Sequence, residues 1–255
     1  MRTEDRRPDP GTGVFETLLV VDGEPVELDR HLARLRHSLA EVYDEGLPPG
    51  TEEELRLAAE GISLGRLRLN VAPGEDRLRQ DLLADGVVPE AVFPARGARL
   101  QSHQVKGGHG AHKWVDRRGM EHPDTGAGQL ICDGDELLEA GWANLFAVRE
   151  ETIWTPAADG RILAGTARAA LLAIAREEGI AAEERPITAE DLLSADETFL
   201  TNCVRGIEPA ESLDGAVLPG CGPISRRLAD ALRRRWGLPA RKAAANAPKA
   251  NPLSH

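Results

Sequence analysis

Residues Gly11–Leu35 read GTGVFETLLVVDGEPVELDRHLARL. The apolar run from Val14 to Val21 breaks at Asp22-Gly23, a dipeptide suited to a tight turn, and a second short run follows, which predicts a β-hairpin. The period then changes. Leu32, Leu35, Leu39 and Val42 recur at helical spacing, with Asp29 as the expected N-cap. A hairpin that passes straight into an amphipathic helix departs from the regular alternation of a doubly wound sheet and predicts an α+β architecture.

The rest of the chain keeps that mixture. A second helix is expected around residues 51 to 63, followed by the strand GRLRLNVAPG at 65–74 and by short strands over 85–102, where a domain boundary is placed. The stretch QLICDGDELLEAGWANLFAVREETIWTP at 129–156 has β-type runs separated by Asp-Gly and Glu-Glu, as in an antiparallel meander. Ala167, Ala170, Leu171 and Ile174 predict a helix from Thr166 to Glu178, stopped by Gly179. The strand pair ETFLTNCVRGIEPAESL and a helix from about Ile224 to Trp236 complete the pattern. The tail from Leu238 is rich in Ala, Pro and Lys, buries little and is read as disordered. The expected organisation is an N-terminal domain over 1–102, a glycine-rich crossing over 103–112, a C-terminal domain over 113–237 and a tail over 238–255.

Composition narrows the function classes. At 255 residues the chain can build a sizeable core, and a formal net charge of -11 argues against a nucleic-acid binder that depends on a basic surface. Cys132, Cys203 and Cys221 have no CxxC spacing, against both a disulfide framework and a cysteine zinc site. No apolar run approaches a membrane span, so a cytoplasmic protein with no membrane partner is expected.

The chemistry is sought in Val105–Arg118, VKGGHGAHKWVDRR. Its plainest reading is a flexible linker with charged residues in solvent, and against that stand a phosphate loop, a metal site and the carrier of a reactive lysine. A Walker-type loop fails because Trp114 follows Lys113 where a hydroxyl residue is needed. A metal site at His109 and His112 lacks a carboxylate or cysteine at companion spacing. A covalent lysine needs a phosphate site and an acid for a cationic ring nitrogen. Candidates exist for both. Gly165-Thr166 opens a helix whose first N–H groups, at Thr166 and Ala167, form an anion site. Thr201, Asn202 and Cys203 end a strand with small polar groups, and Glu139 is a lone acid in the apolar run LLEAGWANLF, where burial demands a partner.

In this order these segments resemble the class IV aminotransferase family, the fold-type-IV pyridoxal-phosphate enzymes, over about residues 5 to 232. GTGVFETLLVVDGEPVELDRHLARL is similar to the family's Phe-Glu-Thr hairpin and His-x-x-Arg-Leu helix, HKWVDR to its Schiff-base lysine segment, LLEAGWANLF to its Glu-x-x-x-x-Asn strand, and TPAADGRILAGTAR with ADETFLTNCVRGIEP to its phosphate cup and closing strands. The resemblance implies a two-domain α+β fold, with a small α/β N-terminal domain and a larger β-rich C-terminal domain with flanking helices. It implies pyridoxal 5′-phosphate as cofactor, with Lys113, rather than Lys106, as the catalytic lysine and Glu139 beside the ring nitrogen. Asn144 stands in the same motif. Arg34, the N–H groups of Thr166 and Ala167, and the Asn202-Cys203 turn would hold the phosphate. It also implies a homodimer acting on a small amino substrate.

Departures from the family bear on activity. The chain begins too late for the strand that usually precedes the segment matching Asp5-Arg6, the helix after Lys113 is expected to be trimmed, and Pro73 stands where an arginine often reads substrate carboxylate. Arg68, Arg117 and Arg205 are the unranked substitutes. With aromatic residues at 4% and arginines near the lysine, the resemblance is nearest to 4-amino-4-deoxychorismate lyase. A transaminase of a branched-chain or D-amino acid and a catalytically idle fold serving as a binding protein are the alternatives.

Overall fold

The computed structural model describes residues 8–117 and 127–240, so Asp5-Arg6 and the tail from residue 241 lie outside it. A four-stranded antiparallel sheet has the order β2-β1-β3-β4, formed by β1 (Val14–Val21), β2 (Glu24–Pro25), β3 (Leu64–Pro73) and β4 (Leu78–Gly86). Helices α1 (Leu28–Tyr43) and α2 (Thr51–Ala59) lie between β2 and β3 in sequence. Strand alternation gives β1 two distinct faces. Val14, Leu18 and Val20 point to Leu28, Leu32, Leu35 and Leu39 of α1 in one buried cluster, while Leu19 and Val21 join a different core shared with the second sheet.

The α1 N-terminus differs from expectation. Its cap is Glu27, in the left-handed region and making no side-chain capping bond, and Asp29 sits inside the first turn. There its charge favours the positive end of the helix dipole instead of closing the cap. The second helix ends at Ala59, because Glu60 leaves helical geometry and Gly61 has a positive φ. β4, not anticipated from the sequence, lies ahead of the short strands expected over 85–102 and pairs with β3 from Gly65↔Gly86 to Pro73↔Leu78, whereas the expected region forms a strand only from Ala98.

The second sheet contains β5 (Ala98–Gln104), β6 (Gly128–Asp133), β7 (Glu136–Ala140), β8 (Ala143–Arg149), β9 (Thr152–Thr155), β10 (Ala182–Glu184), β11 (Glu197–Asn202), β12 (Gly206–Leu213) and β13 (Ala216–Val217). Its order is β10-β9-β8-β11-β12-β5-β6-β7, and a further β7–β8 pairing closes six of these strands on themselves. Since β5 belongs here, the strands divide between Gly86 and Ala98, ahead of the boundary placed at residue 102.

Alternation again sorts the side chains. Leu145 and Ala147 enter one core, whereas Phe146 and Val148 turn toward α3 (Thr166–Glu177) and α5 (Pro223–Arg235). Phe146 and Phe199 stack across β8 and β11 at 5.1 Å, a cross-strand pair that adds about 1 kcal/mol to the burial of both rings. A short helix, α4 (Ala189–Leu193), carries a capping box at Thr188.

The glycine-rich crossing is a set of tight turns. Gly107, Gly108 and Gly110 all have positive φ. A Cβ at Gly108 would fall 2.1 Å from the Arg161 carbonyl, so glycine there permits backbone to approach backbone.

Candidate active site

The two sheets enclose a cavity of about 300 Å³, and every segment singled out in the sequence reaches it. The carrier of Lys113 is fixed first. Its carbonyl accepts from the Phe15 N–H at 2.8 Å, Trp114 bridges Val14, and the Val115 N–H donates to the Gly13 carbonyl at 3.0 Å. Gly13 is required in that contact: its φ is +98°, and a Cβ would meet the Val71 carbonyl at 2.3 Å. The start of β1 therefore grips the lysine backbone, and the Lys113 Nζ lies 4.8 Å from the centroid of the Phe15 ring. Burial pushes the amine below its ordinary range, with Arg34 and Arg117 acting the same way against the opposing Cys203 and Glu16. Lys106, by contrast, is exposed.

On the helix-facing side of β1 stands Glu16, 2% exposed. It accepts from Arg34 Nε at 2.8 Å and Nη2 at 2.6 Å, and its Oε2 lies 2.7 Å from His31 Nδ1. Burial raises the Glu16 carboxyl, but Arg34 and His31 outweigh it and hold it at about 2. Burial lowers His31, with Glu16 acting against it. His31 Nε2, on the other side of the ring, lies 3.2 Å from the Thr166 hydroxyl. Arg34 Nη1 donates to the Ala164 carbonyl at 3.0 Å, and each of its terminal nitrogens keeps one further N–H.

Glu139 occupies the opposite wall. Its β7 register places it between Ile131 and Asn144. It accepts from the Leu163 N–H at 3.2 Å and from Asn144 Nδ2 at 3.2 Å, and Asn144 also donates to the Leu163 carbonyl at 2.9 Å. Burial pushes the carboxyl up to about 8, against the Leu163 N–H and the nearby Lys113, Arg117 and Arg34 charges. Next to it, Gly165 packs so tightly that a Cβ would stand 1.9 Å from Asn144 Oδ1.

The α3 N-terminus begins here. The first intrahelical bond is from the Ala169 N–H to the Gly165 carbonyl, leaving the N–H groups of Thr166 and Ala167 outside the helix ladder. The Asn202-Cys203 turn also lines the cavity, with its side chains already engaged. Asn202 Oδ1 accepts from the N–H groups of Val204 and Arg205, its Nδ2 donates to the Trp142 carbonyl, and the Cys203 thiol donates to the Thr17 carbonyl at 2.9 Å. What that turn offers is backbone.

His109 and His112 both line the cavity. His112 Nδ1 lies 3.1 Å from Ser38 Oγ and its Nε2 3.4 Å from Glu41. Among the described residues no three His, Cys, Asp or Glu side chains converge on a metal position. The structure thus brings Arg34, Lys113, Glu139, Asn144, Thr166, Ala167, Asn202 and Cys203 to one cavity. Glu16 and His31 were not singled out. The signal was present, since Glu16 is a lone acid in the apolar run VFETLLVV, the same pattern that identified Glu139.

The family model described as amino-transferase class IV matches residues 13–213. D-alanine aminotransferase of Listeria monocytogenes serotype 4b is 27% identical over 253 residues, covering 88% of this chain and 87% of that protein. The crystal structure of 4-amino-4-deoxychorismate lyase from Pseudomonas aeruginosa superposes with a TM-score of 0.76 at 28% identity, covering 92% and 94% of the two chains. A hypothetical aminotransferase from Mycobacterium tuberculosis in its PLP-bound form has the same fold, with a TM-score of 0.78 at 22% identity and 89% coverage of each chain.

Proposed function

The chain belongs to the amino-transferase class IV family, and from that premise we propose that it is a pyridoxal 5′-phosphate lyase cleaving 4-amino-4-deoxychorismate to 4-aminobenzoate and pyruvate. One observation carries the reading: a half-buried amine, Lys113, whose affinity for a proton is lowered by desolvation, shares a cavity with a buried acid, Glu139, and with N–H donors on Arg34, Thr166 and Ala167. Likeness to the lyase structure at 28% identity and a cavity rich in guanidinium groups support the choice of reaction.

The cavity walls fit such a cofactor. Thr201 Oγ1 and His109 Nε2 are buried and unpartnered in walls that line it. Unmatched polar groups of this kind are costly unless a ligand satisfies them. Arg34 keeps two N–H groups after Glu16 and Ala164 are served, enough to grip a phosphate, and the α3 dipole favours the same charge. When bound, the cofactor supplies an aldehyde that captures an amine and a ring that takes up the electron pair released beside it. Glu139 would face the ring nitrogen and hold a proton between them. Lys113 would hold the cofactor and, once the substrate amine has taken its place, would accept the proton from the amine-bearing carbon of the substrate. The neighbouring C–O bond would then break, leaving the substrate ring aromatic, and the departing enolate would take up at its methylene carbon the proton that Lys113 carries, giving pyruvate.

A homodimer and a cytoplasmic location belong to the same reading. No helix among the described residues is long and apolar enough to cross a membrane. The test is to add pyridoxal 5′-phosphate to the purified protein, follow its visible absorbance, then supply 4-amino-4-deoxychorismate and measure pyruvate. Cofactor binding with no pyruvate, but with conversion of the cofactor to its amine form by an amino acid, would favour the transaminase reading, which the likeness to D-alanine aminotransferase supports. Absence of cofactor binding would leave an idle fold.

A further inference from the structure

Five arginines line the cavity, and their partners sort them. Arg34 is held by Glu16. Arg66 is exposed and paired across the strands with Asp85 at 3.1 Å, and Arg205 is paired with Glu208 at 2.8 Å. Arg68 and Arg117 differ. Arg68 Nε donates to Asn70 Oδ1 at 3.0 Å and Arg117 Nη2 donates to the Gly141 carbonyl, but among the described residues neither has a carboxylate within ion-pair distance. Each keeps a fork of free N–H groups suited to a carboxylate.

Their placement is specific. Arg68 faces Thr17 across the β1–β3 ladder, on the row that points into the cavity. Its guanidinium carbon lies 3.9 Å from the Phe15 ring centroid, that of Arg117 lies at 5.8 Å, and Lys113 Nζ at 4.8 Å, so all three cations surround one aromatic side chain. Glu139 is the one carboxylate among the residues lining the cavity, on the opposite wall. Burial lowers Arg117 most, and Arg68 lowers it further despite Glu139, as expected of two like charges in one half-buried site.

We propose that Arg68 and Arg117 form a two-point clamp that selects amino substrates carrying two carboxylates, one for each guanidinium. This rests on the reading of the cavity as a cofactor and amine site, and it holds for either reaction. It fits a substrate such as 4-amino-4-deoxychorismate, which carries two carboxylates, and makes D-alanine and the branched-chain amino acids, with one, poor ligands.

The probes are unreactive acids in matched pairs, benzene-1,3-dicarboxylate against benzoate and glutarate against butyrate, titrated into cofactor-loaded protein while cofactor absorbance and tryptophan fluorescence are followed. The dicarboxylate of at least one pair binds tighter by roughly tenfold to a hundredfold, the value of one charge-assisted bidentate contact. Arg68→Gln and Arg117→Gln each remove that preference while cofactor absorbance persists, and Arg68→Lys restores only part of it. Arg66→Gln, which removes a guanidinium already occupied by Asp85, keeps the preference. Equal loss in all three glutamine variants would mean a general positive field and would overturn the clamp, as would equal affinity within both pairs. Failure to bind cofactor at all would instead sink the enzymatic reading, so the two failures are separable.

Discussion

Glu16→Gln tests the charge arrangement that holds Arg34 in the cavity wall. The substitution keeps the shape of the side chain and removes the charge opposite Arg34. In the folded protein the Glu16 carboxyl is held at about 2, against 4.5 without the fold. That difference of about 2.5 pH units is worth on the order of 3 kcal/mol at pH 7. Breaking a buried ion pair from one side typically costs about 3–5 kcal/mol, which agrees. The sign follows from linkage. A depressed carboxyl contributes stability that is fully present above its unfolded value and disappears as pH falls from about 4.5 toward 2. The gap between wild type and Glu16→Gln should therefore shrink from about 3 kcal/mol at pH 7 to about half of that or less at pH 3. In urea, with m of about 2–3 kcal/mol per molar, the pH 7 gap moves the midpoint by roughly 1–1.5 M. A midpoint shift under about 0.3 M at pH 7, or a gap that stays constant down to pH 3, would refute the argument that Arg34 is the charge holding Glu16 ionised.

Glu139→Gln should show the opposite pH trend. In cofactor-free protein Glu139 titrates at about 8, so its stabilising effect is complete below about 4.5 and is lost as pH rises through 8, by up to about 5 kcal/mol; urea midpoints that fall equally steeply in the variant would contradict this. Lys113→Ala should abolish the visible absorbance of bound cofactor, whereas Lys106→Ala, at an exposed position, leaves it intact; the reverse result overturns the lysine assignment. Gly165→Ala drives a methyl to 1.9 Å from Asn144 Oδ1, and a cofactor Kd raised at least about tenfold is expected by equilibrium titration. An unchanged Kd would show that Asn144 can swing aside.

Much of the fold was legible because burial imposes short periods. The continuous apolar run of β1 predicted a strand and the leucine spacing of α1 a helix, and both elements formed there, the strand buried on both faces. The α1 cap was misread because Asp29 carries the right side chain at the wrong position: the left-handed turn at Glu27 starts the helix two residues earlier. β5 was assigned to the wrong side of the boundary because strand pairing is nonlocal. Nothing within Ala98–Gln104 specifies that its neighbours will be β12 and β6.

The site divides the same way. Glu16 and Glu139 have one signature in sequence, a single acid in an apolar strand, and burial acts on both in the same direction. What separates them is the distance to Arg34. Two of its nitrogens bond Glu16 directly, so the pair is closed and the acid remains ionised. Glu139 has only dipoles within bonding reach, from Leu163 and Asn144, and feels its cations from farther away, so its carboxyl retains a proton and a demand for one more polar partner. Arg34 comes from α1 and Glu139 from β7, and only the packing of one sheet against the other sets their separation. The same holds for Arg68 and Arg117. As residue types they were indistinguishable from Arg205 until Glu208 was seen to occupy the latter. Glu16 fixes the position of Arg34 without using up its N–H groups, whereas Arg68 and Arg117 have no carboxylate at ion-pair distance among the described residues, which is why they are the pair proposed to meet a ligand's charges. Sequence identifies the charged groups, but the count of satisfied partners belongs to the tertiary structure, and that count assigns the roles.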